Sequence, residues 1–278
     1  RVLRFVAAYV SRDRPVLLRG AVAAATRAPQ WARGAVLRSA GEASFQVVAA
    51  PEPPPRLEHL TREPNLGFAG DEGSPVTLPP TRSLLLPASP SPLPQVMGYD
   101  CQSGALADPH TWRRTTLRRW MSQMRSTRGG ACGGKLPEYI FDQSGGAGAA
   151  LRNLTAPLFP WVGLLRPEAP ALYAGANGSG NPVHYHQQTW NALVAGRKRW
   201  LLWPPDEAFY SELHPLEWLR HHGAAHGGEG GAGRRTPRPI ECMQRAGDVL
   251  FVPRLWAHGT LNLGETVGVA TPFTVRRT

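Results

Sequence analysis

The second half of the sequence contains a dense series of short apolar runs, and this series limits the fold more than any other feature. From residue 171 onward, glycine, proline and polar residues separate runs rich in β-branched and aromatic side chains. In chain order the runs are ALYAG, PVHYH, WNALVAG, KRWLLW, GDVLFVP, AHGTLNL and TVGVATPF. A β-hairpin is predicted where WNALVAG ends at Gly196. Many short strands separated by turns favour a mainly β fold, either a barrel or a double-sheet jelly roll, with flanking helices.

Residues 1–60 are predicted to form short helices and strands that brace this barrel. Phe5 and Tyr9 are four residues apart, which places both on one face of a helix. The apolar runs at 16–18 and 45–50 predict two strands. The N-terminal segment therefore adds both kinds of element to the barrel.

Residues 61–135 are predicted to be a Pro/Gly-rich insertion with one arginine-faced helix at 111–126. The barrel then occupies 136–278, with a disordered glycine-rich loop near 223–238 and a short helix capped by Asp206. The arginine face is expected to contact solvent, and an acidic partner is the alternative. The helix at 111–126 has its apolar side chains at helical spacing, namely Leu117, Trp120, Met121 and Met124.

The chain is strongly basic, with a formal net charge of +11. Almost all of this charge is arginine, because Lys135 and Lys198 are the only lysines, and Arg, Ala, Gly and Pro are enriched together. A compositional bias at the coding level produces this pattern, so a nucleic-acid partner is not expected. No apolar run reaches the roughly 18 residues that span a bilayer. The sequence begins at Arg1 without an apolar signal core, and we expect any targeting segment to be missing from this fragment.

Two histidines one residue apart, His184 and His186, form the first half of a candidate metal site. On a strand, residues i and i+2 share a face, so both imidazoles would point the same way. A third histidine, His258, follows the sharp turn after GDVLFVP. In a jelly-roll barrel it would lie on a distant strand that faces the pair across the barrel. The alternative is that His184 and His186 are a packed or exposed pair without a metal.

These segments carry a family resemblance. PVHYHQQTWNALVAGRKRWLLWPP and GDVLFVPRLWAHGTLNL resemble the two metal motifs of the Jumonji C (JmjC) domain of the cupin superfamily, and RPVLLRGAV resembles its N-terminal strand. The resemblance implies a double-stranded β-helix, or jelly-roll, barrel. It also implies an oxygenase that uses Fe(II) and 2-oxoglutarate and hydroxylates a protein side chain. Similarity of HPLEWLR, PRPIECMQRAGDVLFVP and GRKRWLLWPP to one JmjC subgroup implies the lumen of the endoplasmic reticulum.

The implied metal ligands are His184, His186 and His258. JmjC enzymes have a carboxylate at the position of His186, so this chain departs from the family pattern there. Three neutral imidazoles still bind Fe(II), but they also suit other divalent metals. The substitution therefore leaves metal binding expected and puts the usual 2-oxoglutarate chemistry in doubt.

The resemblance also implies a co-substrate pocket. Lys198 stands where related hydroxylases place the lysine that pairs with the distal carboxylate of 2-oxoglutarate, and alternation points it inward with Trp200. Tyr173 and Asn191 are expected to line the pocket, and Asn262 to hydrogen-bond a co-substrate carboxylate. The alternatives are a solvent-facing lysine and ordinary strand-pairing or turn residues.

Two other functions remain open at this stage. If His186 disables the site, we expect the chain to be a catalytically inactive scaffold that acts through protein–protein contacts. Histone demethylation is less favoured, because no zinc-binding cysteine pattern accompanies the barrel. A protein substrate or protein partner is expected in each case, and the oligomeric state is left open.

Overall fold

A computed structural model gives the fold. It describes residues 2–27, 31, 33–40, 44–48, 95–97, 112–125, 137, 139–142, 165–223 and 238–275. The predicted disordered loop near 223–238 and most of the predicted insertion lie outside these described residues.

The described helices and strands alternate in the first half of the chain and are mainly strands in the second half. The helices are α1 (Val2–Ala8), α2 (Ala23–Thr26), α3 (Arg33–Ala40), α4 (Leu117–Arg125) and α5 (Pro215–Gly223). The strands are β1 (Val16–Leu18), β2 (Ser44–Val48), β3 (Gln95–Met97), β4 (Trp112–Thr116), β5 (Tyr139–Asp142), β6 (Leu165–Pro167), β7 (Ala171–Gly175), β8 (Gly180–His184), β9 (Thr189–Trp203), β10 (Ile240–Arg245), β11 (Val249–Val252) and β12 (Ala257–Val275).

Two long antiparallel strands, β9 and β12, form the centre of the fold and pair along most of their lengths. The hairpin predicted at Gly196 is wrong, because β9 continues through this residue, which has a φ of +82°. The runs AHGTLNL and TVGVATPF also belong to one strand, β12, with an irregular register between Leu263 and Val267. Glycine permits a bulge as readily as a turn, and here the bulge bends two paired strands without ending them.

The bend divides β9 and β12 between two sheet layers. The first half of β9 pairs with β11 and its second half with β10. The first half of β12 pairs with β8 and its second half with β7. Side chains meet between the layers, because the Nζ of Lys198 lies 2.8 Å from the hydroxyl of Tyr139 on β5. This arrangement confirms the predicted jelly-roll fold with flanking helices.

An extra residue of β9, Val194, also changes which residues of this strand face the interior, because Leu193 and Ala195 pair with the adjacent residues Gly268 and Val267 of β12. Before it, Trp190 and Ala192 point outward and pack in the cluster that includes Phe5 of α1. After it, the even-numbered Lys198 and Trp200 point inward instead. Side chains alternate with a period of two along a strand, so one extra residue exchanges the two faces. The helices cover the outward side, and the polar candidates lie on the inward side.

The sheet extends beyond the barrel from β7 through β5, β3, β2 and β4. The predicted helix at 111–126 is wrong in its first part, because Trp112–Thr116 is a strand that pairs with Ser44–Val48. Pairing with β2 outweighs helix propensity there, since β-branched threonines suit a strand. From Leu117 onward the helix is confirmed, and its apolar side chains Leu117, Trp120 and Met121 are buried.

The predicted helix cap at Asp206 is also wrong. Asp206 lies inside a single 3₁₀ turn, Pro205–Glu207, which has no side-chain cap. The cap of the following helix is made by His214, whose Nδ1 accepts a hydrogen bond of 3.1 Å from the amide of Leu216. Burial lowers the pKa of His214 to about 4, although a hydrogen bond with the backbone of Pro137 opposes this shift. A neutral imidazole can therefore accept the amide proton.

The bulge predicts different costs for two glycine substitutions. A Cβ at Gly196 would collide with the carbonyl oxygen of Glu265 and with Thr266, whereas a Cβ at Gly264 (φ +92°) would meet nothing within 4 Å. We expect Gly196→Ala to lower the free energy of unfolding by about 3 kcal/mol, from left-handed strain plus the clash, and Gly264→Ala by about 1 kcal/mol from strain alone. Urea denaturation measures both. Equal losses would show that β9 does not bend against β12 here.

Candidate metal centre

Three histidines converge on the inner side of the two-layer fold. His184 is the last residue of β8, and His258 is its direct cross-strand partner on β12, with ring centroids 4.3 Å apart. His258 thus lies on the neighbouring strand, and the prediction that it faces the pair across the barrel is wrong. His186 lies two residues beyond the end of β8, yet its ring centroid is 4.7 Å from that of His258. The shared direction predicted for His184 and His186 therefore persists past the strand.

Backbone hydrogen bonds orient all three imidazoles in the same way. In each ring, Nδ1 is hydrogen-bonded to a backbone carbonyl. The partner of His184 is Pro182 at 2.8 Å, that of His186 is Gln187 at 2.5 Å, and that of His258 is Trp256 at 2.9 Å. A carbonyl oxygen only accepts, so each Nδ1 carries the proton and each Nε2 carries the lone pair that can bind a metal. Metal-binding histidines are fixed by this kind of second hydrogen bond.

Burial keeps the three rings neutral. It is the largest cause lowering the pKa of His184 to about 3, and proximity to His186 lowers it further. Burial also lowers the pKa of His186 and takes that of His258 well below its usual range. Metal ions bind the deprotonated form of a ligand. The donor set is therefore in its metal-binding protonation state at neutral pH.

The three residues fit a divalent metal ion. Their ligand atoms all lie within 4.8 Å of one another. Two nitrogens bound to one ion at about 2.1 Å are at most about 4.2 Å apart, so small ring rotations complete the site. The amide Nδ2 of Asn181 lies 3.3 Å from the Nε2 of His184 and would have to move aside. The set offers three neutral nitrogens and no carboxylate, which does not distinguish Fe(II) from other imidazole-binding metals.

Lys198 is the second unusual group of the interior. It is 1% exposed, its Nζ donates a 2.8 Å hydrogen bond to the hydroxyl of Tyr139, and it lies 3.8 Å from the ring centroid of Tyr173. Among the described residues no carboxylate lies within ion-pair distance of it. Burial without a countercharge lowers its pKa well below 10.5. An incoming carboxylate would supply the missing charge.

The other predicted pocket residues lie near Lys198 with different roles. Tyr173 donates its hydroxyl to the carbonyl of Ala192, and its ring packs against Gly268, where a Cβ would collide with it. Asn262 is the cross-strand partner of Lys198 and donates to the hydroxyl of Ser179 at 2.9 Å. Its buried Oδ1 has no hydrogen-bond partner among the described residues. As oriented, Asn262 presents an acceptor, so the carboxylate contact predicted for it stays a prediction.

Asn191 offers the opposite chemistry. It is 5% exposed, and its Nδ2 is a buried donor without a hydrogen-bond partner. It lies on β9 before the bulge and is the register partner of Ala270, which packs with Tyr173 in the inner cluster. A free amide N–H suits a carboxylate or carbonyl oxygen. The contact between Asn191 and a co-substrate also stays a prediction.

Sequence reasoning missed two residues of this interior. Tyr139 is the partner of Lys198 on β5, and Asn181 contacts a candidate metal ligand from β8. No spacing marks Tyr139, because β5 and β9 are far apart in the chain and are connected in the sheet through β7 and β12. Asn181 was detectable, since it lies three residues before His184.

The fold and the three-histidine site can now be compared with known proteins. The family described as Cupin-like domain matches residues 2–271. The chain belongs to this cupin-like family. That membership, with relatives named for the JmjC domain, confirms the resemblance found in the sequence.

Several characterised or named proteins are similar to parts of this cupin-like chain. Human JmjC domain-containing protein 8 is 37% identical over 126 residues, which cover 43% of this chain and 43% of that protein. Zebrafish 2-oxoglutarate and iron-dependent oxygenase JMJD4 is 32% identical over 111 residues, covering 35% of this chain and 25% of that protein. The solved Escherichia coli ribosomal oxygenase YcfD, in complex with cobalt and succinic acid, has 13% identity and a TM-score of 0.36, and the match covers 66% of this chain and 40% of that chain. The cupin-like chain thus spans less than half the length of these curated relatives.

The part of the chain that the structure describes includes no helix with the length and apolar character needed to cross a membrane.

The buried lysine predicts a pH-dependent stability difference. Between the lowered folded pKa of Lys198 and the usual 10.5, the unfolded chain binds one more proton than the folded chain, so stability rises with pH. Lys198→Met removes this dependence. We expect Lys198→Met to be more stable than the wild type at pH 7, with a gap that narrows by up to about 1.4 kcal/mol per pH unit as pH approaches 10.5.

Urea denaturation of both proteins across this pH range, with a chelator and no added carboxylate, measures the gap. Lys135→Met is the control for loss of a lysine. A gap that stays constant with pH would mean that Lys198 is protonated in the folded protein.

Proposed function

We propose that this cupin-like protein is a metal-dependent oxygenase of the Fe(II)/2-oxoglutarate class that hydroxylates a protein side chain. One observation carries the proposal. The inner side of the neighbouring strands β8, β12 and β9 presents three convergent imidazole nitrogens and a buried lysine that has no countercharge among the described residues. A metal ion and an acid with two carboxylates satisfy both features at once. The similarity to the zebrafish 2-oxoglutarate and iron-dependent oxygenase JMJD4 supports the class.

The roles of the residues follow from their contacts. His184, His186 and His258 would hold the metal through Nε2. Lys198, with Tyr139, would hold the distal carboxylate of 2-oxoglutarate, because a carboxylate raises the proton affinity of a buried amine. The metal, when bound, supplies activation of dioxygen together with oxidation of the keto acid.

The charge balance of the site favours a dianionic co-substrate. Three neutral imidazoles leave both positive charges of a divalent ion uncompensated, and a protonated Lys198 adds a third. Buried charge is costly unless it is paired. A dianionic co-substrate held by Lys198 and by a metal on the three histidines would offset most of this charge, and so would compensate in part for the histidine at position 186, where the family has a carboxylate.

Metal and keto-acid binding test the proposal directly. We expect protein purified without oxygen to bind about one Fe(II) per chain, and the loaded protein to bind 2-oxoglutarate in calorimetric titration. Lys198→Ala should weaken keto-acid binding by at least tenfold, since a charge-assisted contact contributes about 1.5–3 kcal/mol, and leave metal content unchanged. The control is Lys135→Ala, which removes the only other lysine. A chain that takes up no metal, or turns over no 2-oxoglutarate with any substrate, would contradict the proposal.

The second candidate function is a catalytically inactive scaffold that binds a protein partner, and His186 favours it. A carboxylate lowers the charge of an iron site and supports its oxidation, and this chain lacks that support.

His186→Asp distinguishes the two functions. If the site is a weakened enzyme, the added carboxylate should raise 2-oxoglutarate turnover severalfold, measured as succinate formed under air with Fe(II). His186→Asn is the matched control, because it has the same size without the charge. No turnover in either variant, with normal folding, would favour the scaffold.

A further inference from the structure

His186 is the one candidate ligand that no strand holds. Strand β8 ends at His184, so the ladder bonds that fix its other residues stop two positions before His186. Tyr185 separates the two histidines, and its side chain packs on the opposite side, in a cluster that includes Trp203 and Trp218. Alternation then points both imidazoles toward His258. Something other than β8 must keep this alternation past the end of the strand.

The chain after the 3₁₀ turn lies along the backbone of the histidine pair. The amide of Ser211 donates a 2.9 Å hydrogen bond to the carbonyl of Val183. The hydroxyl of Tyr210 donates to the carbonyl of Tyr185 at 3.2 Å, and the two tyrosine rings pack with centroids 4.2 Å apart. These contacts continue the edge of β8 by two residues. The Tyr210 hydroxyl is therefore hydrogen-bonded to the peptide group that joins Tyr185 to His186.

A second contact holds His186 from the other side. The amide of Leu255 donates a 2.9 Å hydrogen bond to the carbonyl of His186. Leu255 has a φ of +61°, an unfavourable conformation for a branched side chain, and its side chain is exposed. Packing therefore does not explain the conformation. Leu255 precedes His258 by three residues, so its amide ties the loop of His186 to the turn that begins β12.

We propose that Tyr210 is a positioning residue for His186, and that with the Leu255 amide it forms a clamp that completes the metal site. The inference rests on the proposed function, since it assigns a role toward the same metal. Tyr210 acts through the Tyr185 carbonyl and does not contact the metal. The left-handed conformation of Leu255 directs its N–H at His186. Without the clamp, the metal would keep His184 and His258, which the β8–β12 pairing fixes.

Anaerobic titration with Co(II), followed by its visible absorption, tests the clamp without any turnover. Tyr210→Phe keeps the ring and removes only the hydroxyl. We expect it to weaken Co(II) binding about fivefold, the effect of one hydrogen bond, and to change the absorption band that reports ligand number. Tyr9→Phe, which removes a hydroxyl at the distant end of α1, should change neither. Unchanged Co(II) affinity and spectrum in folded Tyr210→Phe would overturn the proposal.

A double-mutant cycle separates positioning from general stability. His186→Ala removes the ligand on which the clamp acts. In that background Tyr210→Phe should change Co(II) affinity by less than about twofold, because coupled residues are not additive. A full fivefold loss there would show that Tyr210 acts through the rest of the fold, and would overturn the assignment.

Leu255→Gly tests the second half of the clamp. Glycine keeps the N–H and adopts positive φ without strain, so Co(II) affinity should stay the same while the melting temperature rises by a few degrees. Lost affinity in this variant would show that the leucine side chain, not its amide, supports the site.

Two outcomes distinguish the proposed function from the clamp. Wild-type protein that binds no Co(II) would overturn the proposed function itself. Normal Co(II) binding by the wild type, together with unchanged Co(II) binding by Tyr210→Phe, would overturn the clamp alone.

Discussion

The pairing of β9 with β12 through a shared bend is the constraint on which the rest of the structure depends. Both strands take part in both sheet layers, so each contributes residues to the interior from two directions. This arrangement brings His258 beside His184, and Lys198 over the ring of Tyr173. The helices pack on the outer side and take no part in the site. The bend of these two paired strands thus places the histidines and the lysine in the interior and an apolar layer on the outer side.

The interior combines groups that are costly to bury with little compensation inside the protein. Three imidazoles are kept neutral, and among the described residues the amine of Lys198 has no countercharge and the atoms Asn191 Nδ2 and Asn262 Oδ1 have no hydrogen-bond partner. Most buried polar groups in folded proteins are hydrogen-bonded. These two amide atoms lie on the inner side of the fold, where a ligand would supply the missing partners. Stability and binding therefore oppose each other in this site, and the same groups set both.

Much of the site was predictable from sequence, for a local reason. The spacing of His184 and His186, and the alternation that carries Lys198 inward, depend on neighbours in the chain, and both agree with the structure. The fold class was predictable because many short strands with few helices leave few architectures. The strand and sharp turn of GDVLFVP pointed to the third histidine, His258, and the family resemblance supported it.

The wrong or missed predictions concern residues whose structure depends on a partner strand elsewhere in the chain. A glycine between two strand-like runs fits a hairpin and a bulge equally, and only the partner strand decides between them, so Gly196 was misassigned. Trp112–Thr116 became a strand because β2 lies beside it, a contact no helical spacing reveals. Tyr139 was missed since its position depends on pairing between segments far apart in the chain. What the sequence leaves out is the register of distant strands.

The extra residue Val194 gives β9 two side-chain phases, one before it and one after it. Residues on either side are therefore not interchangeable by shifting the chain, and the length of the segment between Leu193 and Lys198 is fixed to the residue. One residue inserted or deleted there would turn Lys198 outward and bring Arg197 or Arg199 into the interior, while the strand pairing survived. A change of length by one residue could thus convert a ligand-binding interior into a merely packed one without altering the fold.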